Sequence, residues 1–219
     1  MRDDVAVSSD PASGPPPVVD DRRLRRAVLV VALLNLAYFG VESTVALVAG
    51  SVALLADSVD FLEDAAINLL ILVALGWPMA RRAMLGKGLA VVILAPAAAA
   101  AWLAVQRFAD PVAPDVWPVV AASLGAVVVN GSSAWLLLGV RHHGGSLSRA
   151  AFLSARNDVL VNLAIIVMAL VTLATASGWP DLVLGLVIIG LAVRAAAEVW
   201  EVSEEERLAA KVRAGEAID

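Results

Sequence analysis

Cysteine is absent from the 219 residues, which excludes disulfides, thiolate metal sites and thiol redox motifs. The two histidines, His142 and His143, are adjacent, and neighbours on a helix do not face the same way. Two readings of them stand: metal ligands where an ion enters, or interfacial residues. Charge is also scarce, at 17% of the chain, and most of it lies at the ends and in short connections. No basic patch with interleaved aromatics is present, so nucleic acid is not an expected partner. Neither a nucleophile–base arrangement nor a glycine-rich phosphate loop occurs, which argues against an enzyme. The net charge of −5 says little, because the two signs are segregated along the chain.

What is abundant is apolar surface. Hydrophobic residues make up 60% of the chain and mean hydropathy is +0.84, well above soluble domains. The chain is an integral membrane protein, and a lipid bilayer is its surroundings. Six apolar segments predict six transmembrane helices near 27–49, 52–77, 89–105, 116–140, 149–177 and 181–200, each suited to a span of roughly 20 residues. The fold class is therefore all-α, a six-helix membrane bundle. Residues 1–24 are assigned to a disordered cytoplasmic tail rich in Pro, Ser, Gly and acid. Residues 25–200 form the helical domain, and 201–219 a short, charged helical tail without a core. The first apolar segment is too long for the core of a signal peptide and is retained as a helix.

Orientation follows from the basic residues. Arg22, Arg23, Arg25, Arg26, Arg81, Arg82, Lys87, Arg141 and Arg149 all fall on one side of such a bundle. The opposite loops hold Asp110, Asp115, Asp181 and only Arg107. Both termini are expected in the cytoplasm of a multi-pass cell-membrane protein. Trp77, Trp102, Trp117, Trp179 and Trp200 fall near the predicted interfaces, where aromatic belts form.

Against this background the second segment stands out. GSVALLADSVDFLEDAAIN, Gly50 to Asn68, carries Asp57, Asp60, Glu63 and Asp64. Steps of three and four return to one helical face, so Asp57, Asp60 and Asp64 form a stripe that Asn68 extends. The apolar flanks disfavour a soluble core helix with a solvated acidic edge. Intramembrane carboxylates are costly and mark ion paths, and oxygen ligands on consecutive turns suit a divalent cation. The fifth segment carries Ser154, Arg156, Asn157, Asp158 and Asn162, of which Asp158 and Asn162 share a face. Arg156 lies two positions before Asp158, points elsewhere and can snorkel to water. Glu42 in the first segment either joins the acidic site or sits near the outer water boundary. Asn130, Gly131, Ser132 and Ser133 in the fourth either line a cavity or pack helices.

Depth supports a meeting of the second and fifth helices. At about 1.5 Å per residue, Asp60 and Asp64 lie roughly 12 and 18 Å from one face, and Asp158 and Asn162 roughly 13 and 20 Å from the other. In a hydrocarbon core of about 30 Å this puts Asp64 near the level of Asp158, and Asp60 near Asn162. Asp60, Asp64, Asp158 and Asn162 are the candidate metal ligands, with Asp57 and Glu42 as accessory residues.

Glu42, the GSVALLAD run and the Asp60/Asp64 pair resemble the first two helices of cation diffusion facilitators, the cation efflux family. That family carries His or Asp followed four residues later by Asp on helix 2, and a second such pair on helix 5, which Asp158 and Asn162 match in register. PDLVLGLVIIGL, with Asp181, resembles the start of its helix 6. The resemblance covers roughly residues 25–200. It implies a secondary transporter that exports a divalent cation from the cytoplasm in exchange for protons, by alternating access and usually as a homodimer. Three features depart from the family pattern. Neither pair contains His, Asn162 stands where Asp is usual, and only a short tail follows Trp200 in place of the usual cytoplasmic metal-binding domain.

The hard oxygen donors suit Mn²⁺ and similar ions, whereas affinity at an oxygen site still favours Zn²⁺. Zn, Mn, Fe and Co therefore remain open as cargo, and no resident cofactor is expected. A different class of function also stands: a non-transporting membrane subunit that keeps the fold and uses its acids for polar packing.

Overall fold

The computed structural model describes residues 21–74, 76–138 and 145–214. The tail before Asp21 and the Arg141–His142–His143 stretch lie outside the described residues. The described residues form six helices: α1 (Asp21–Ala49), α2 (Val52–Ala74), α3 (Met79–Ala109), α4 (Val116–Leu138), α5 (Gly145–Thr175) and α6 (Trp179–Ala214). All except α2 are long and apolar enough to cross a membrane. Helix α2 has the length, but Asp57, Asp60, Glu63 and Asp64 interrupt its apolar run.

The surface is that of a bundle immersed in lipid. Leu33, Val48, Trp102, Leu160 and Val183 point outward, while Asn35, Glu42, Asp57, Asn68, Asn130 and Asn162 are buried. A soluble fold has the opposite distribution. Contacts run in a ring, α1 to α4 to α5 to α6 to α3 to α2 and back to α1, and α2 also reaches α5 and α6 across the middle. Every residue from Ser51 to Val59 is consequently buried. Alanines carry much of the close packing around it, with Ala46, Ala49, Ala53, Ala56, Ala100, Ala122 and Ala169 in one cluster. Small side chains let helices approach where lipid supplies no hydrophobic drive.

Connections alternate between the two ends of the bundle. At one end Gly50 takes φ +71°, a left-handed turn that glycine adopts without a Cβ penalty. The Asp115 amide donates to the Ala49 carbonyl (3.0 Å), and the Gly178 amide to that of Pro111 (2.9 Å). The α1–α2, α3–α4 and α5–α6 connections therefore share this end. At the other end Gly76 lies near Arg25, and Arg82 pairs with Glu206. The described starts and ends of the chain thus lie together with the α2–α3 turn.

Two helices outrun their expected limits. Helix α3 begins at Met79 rather than near Leu89, and α6 continues without a break to Ala214. The basic stretch after Pro78 is the first turns of α3, and the charged stretch after Trp200 is the end of α6. These extensions pack on each other. Ser203 is buried where α3 presents Gly86, Arg82 pairs with Glu206 and Lys87 with Glu204, and the Lys87 ammonium lies over the Trp200 ring at 4.9 Å. The stretch expected to lack a core has a packing partner. Opposite charges on adjacent helices offset what hydropathy alone counts against a helix.

Candidate metal site between helices 2 and 5

Helix α2 begins under tight control, which sets the rotation of its acidic face. Ser51 caps it, its Oγ accepting the Leu54 amide at 3.0 Å. The same hydroxyl donates to Asp181 Oδ1 at 2.5 Å. Asp181, from the first turn of α6, also accepts the amides of Val52 (2.7 Å) and Ala53 (3.3 Å). A carboxylate at a helix N-terminus satisfies orphan donors and complements the helix dipole. Asp181 is thus engaged in holding α2. Gly185, one turn further along α6, permits this approach: a Cβ there would lie 2.6 Å from Val52 Cγ1 and 2.9 Å from the Ala53 nitrogen.

With the start of α2 set, Asp57, Asp64 and Asn68 are buried and Asp60 is partly exposed. Asp64 meets α5 directly, accepting from Ser154 Oγ at 3.0 Å. Asp158, one turn after Ser154, stands opposite the same carboxylate: the like charge acting on it most strongly is Asp64, followed by Asp60, Asp57 and Glu63. Asn162 belongs to the next turn. Its Nδ2 donates to the Asp158 carbonyl at 3.0 Å, and across on α2 its side chain neighbours Asp57. Asn68 donates to the Asp64 carbonyl at 2.8 Å, which fixes it on its own helix.

The α2 and α5 stripes therefore meet in two tiers. Asp64, Asp158 and Ser154 form one, with Asp60 beside them, and Asp57 and Asn162 form the other. Sequence reasoning missed Ser154, whose available signal was its position four residues before Asp158. Glu42 comes from α1 into the Asp57 tier, the upper one when the α1–α2 turn is placed at the top, and neighbours Asp57; it is fully buried, so the reading at a water boundary does not hold. Tyr38, one turn earlier, donates its hydroxyl to the Ala122 carbonyl at 2.6 Å, and its ring packs on Phe61 at 4.9 Å. On α4, Asn130 and Ser133 are buried while Gly131 and Ser132 face outward.

Glu63 lines a cavity of about 330 Å³ between α2, α3 and α6, together with Ile67, Leu70, Arg82, Glu198 and Glu206. Among the described residues, no three carboxylates or imidazoles stand close enough together to hold a metal ion in this conformation. Arg156 is exposed and, among the described residues, reaches only Asn157 Oδ1, at 3.5 Å. Arg156→Lys is accordingly expected to retain transport within about twofold, since surface changes away from special features cost little. A loss as deep as that of Asp158→Ala would make Arg156 part of the site.

A protein-family model described as the cation efflux transmembrane domain matches residues 87–203, a little over half of the chain. The matched stretch holds Ser154, Asp158, Asn162 and Asp181 and stops short of the acidic face of α2. No curated protein matches the chain.

Proposed function

The chain belongs to the cation efflux family, a multi-pass membrane protein whose business is metal-cation transport, and from that premise we propose that it exports a divalent metal ion in exchange for protons. Asp60, Asp64 and Asp158 hold the ion at mid-membrane and Ser154 positions Asp64, whereas Asn162, expected as the fourth ligand, faces Asp57 in the other tier. The observation that carries this reading is the Ser154–Asp64 hydrogen bond of 3.0 Å with Asp158 on the same face of α5. It sets carboxylates from two helices distant in sequence against each other inside an apolar bundle.

The chemistry is competition. A carboxylate must be deprotonated to bind a metal, so proton and metal exclude each other at one site. A site that opens alternately to the two sides converts that exclusion into exchange. Because no three of the described carboxylates stand close enough together to hold an ion in this conformation, binding requires α2 and α5 to close on it. The ion's charge drives this step by offsetting the repulsion between Asp64 and Asp158. Oxygen donors suit Mn²⁺ as well as Zn²⁺, and a homodimer is the assembly the family suggests.

Metal uptake by proteoliposomes under an imposed pH gradient tests the whole reading. Uptake that collapses when the gradient is dissipated is the expected result. Folded protein that moves no metal under either condition would favour the non-transporting subunit. Direction rests on the basic residues at the end shared by Arg25 and Arg82, which we assign to the cytoplasm. Ala109→Cys should label from outside intact cells and Ala80→Cys should not. The reverse pattern would invert the topology and turn export into import.

A further inference from the structure

The upper tier holds a set of atoms that the transport site does not use. Glu42 Oε1 and Oε2, Asp57 Oδ1 and Oδ2, and Asn162 Oδ1 are all buried without a hydrogen-bond partner among the described residues. They come from three helices, α1, α2 and α5, and Asp57 neighbours both of the others. A buried polar atom without a partner is rare and costly, and a buried, unpaired charge more so. The neighbouring donors are committed elsewhere: Tyr38, one turn before Glu42, gives its proton to the Ala122 carbonyl, Ser43 gives its own to the Phe39 carbonyl, and the Asn162 amide nitrogen donates to the Asp158 carbonyl. What remains is a cluster of acceptors that a cation completes, or a proton shared between the two carboxyls, in the same competition as at the transport site.

We infer that Glu42, Asp57 and the Asn162 amide oxygen form a second cation station, which takes a hard divalent ion with oxygen ligands. Two carboxylates balance the charge of one such ion, and an amide oxygen adds a neutral ligand of the kind that Ca²⁺- and Mn²⁺-type sites accept. The station is displaced along α2. Asp57 precedes Asp64 by seven residues, about 10 Å at 1.5 Å per residue, toward the end of the bundle where Gly50 turns. The inference rests on the transport reading and extends it: an ion leaving Asp64 and Asp158 is received one step nearer the α1–α2 turn.

Mn²⁺ binding to the purified full chain in detergent tests this, read by stoichiometry and by the paramagnetic spectrum. The wild type should bind two Mn²⁺ whose spectrum shows mutual broadening from ions about 10 Å apart. Glu42→Gln and Asp57→Asn should each retain one ion and lose the broadening, and Asp64→Asn should retain the other. Should Glu42→Gln fail to fold, the wild-type spectrum decides: a broadened pair supports the station and an isolated ion overturns it. One ion bound by the wild type, kept in Glu42→Gln and lost in Asp64→Asn, overturns the station and leaves the transport site standing. No Mn²⁺ bound at all overturns the station, while the transport site is decided separately by the proteoliposome assay with each candidate metal.

Discussion

Proteoliposomes carrying Asp64→Asn are expected to lose metal transport by at least about 100-fold, beyond the roughly 10–100-fold typical of outer-shell changes at metal sites. Asp64 is the carboxylate that both functional groups of α5 address: Ser154 by a hydrogen bond of 3.0 Å, and Asp158 by the strongest like-charge interaction acting on it. Exchanging it for an amide keeps shape and the Ser154 contact but removes the charge that holds a cation and the group that trades metal for proton. Ser154→Ala provides the graded comparison. It leaves every carboxylate in place and frees Asp64 to rotate, so a loss of about 10-fold is expected, at the low end of outer-shell effects. Initial rates of metal uptake at fixed pH gradient measure both. Transport by Asp64→Asn within a few-fold of wild type would remove α2 from the site. Equal losses in the two variants would instead make Ser154 a ligand in its own right.

Asp181→Ala is expected to destabilise the fold by about 3 kcal/mol or more. Asp181 accepts from Ser51, Val52 and Ala53 in a buried setting, and each buried donor left unsatisfied costs about 1–3 kcal/mol. A carboxylate at this position also complements the α2 dipole. Ser51→Ala, which removes the cap from the Leu54 amide, should cost less, about 1 kcal/mol. Thermal unfolding of the detergent-solubilised protein orders the two. The outcome that would sink this role is an Asp181→Ala protein as stable as wild type yet unable to transport. Asp181 would then belong to the ion path, although its hydrogen bonds go to the start of α2.

Much of this protein is readable from its sequence because the bilayer leaves a chain few choices. Long apolar segments have to become helices, since hydrocarbon offers the backbone no other partners. The helical period alone puts Asp57, Asp60 and Asp64 on one face and Asp158 on a face shared with Ser154 and Asn162. Short connections then alternate the helices and bring the basic ends together, as Arg82 with Glu206 illustrates.

Tertiary structure decided what lies across from what. Asn162, placed by depth at the level of Asp60, stands beside Asp57, because axial offset and rotation between helices distant in sequence are set by side-chain interdigitation. That packing also made Ser154 a partner of Asp64 and brought Glu42 into the bundle beside Asp57. It gave Asp181 a capping role on a helix more than a hundred residues earlier in the chain. The extents of α3 and α6 were decided the same way. A hydropathy window sees Arg82, Lys87, Glu204 and Glu206 as breaks in an apolar run, whereas two adjacent helices bring them together as opposite charges. Periodicity assigns a residue to a face; only packing, by fixing each helix's rotation and offset, supplies what that face meets.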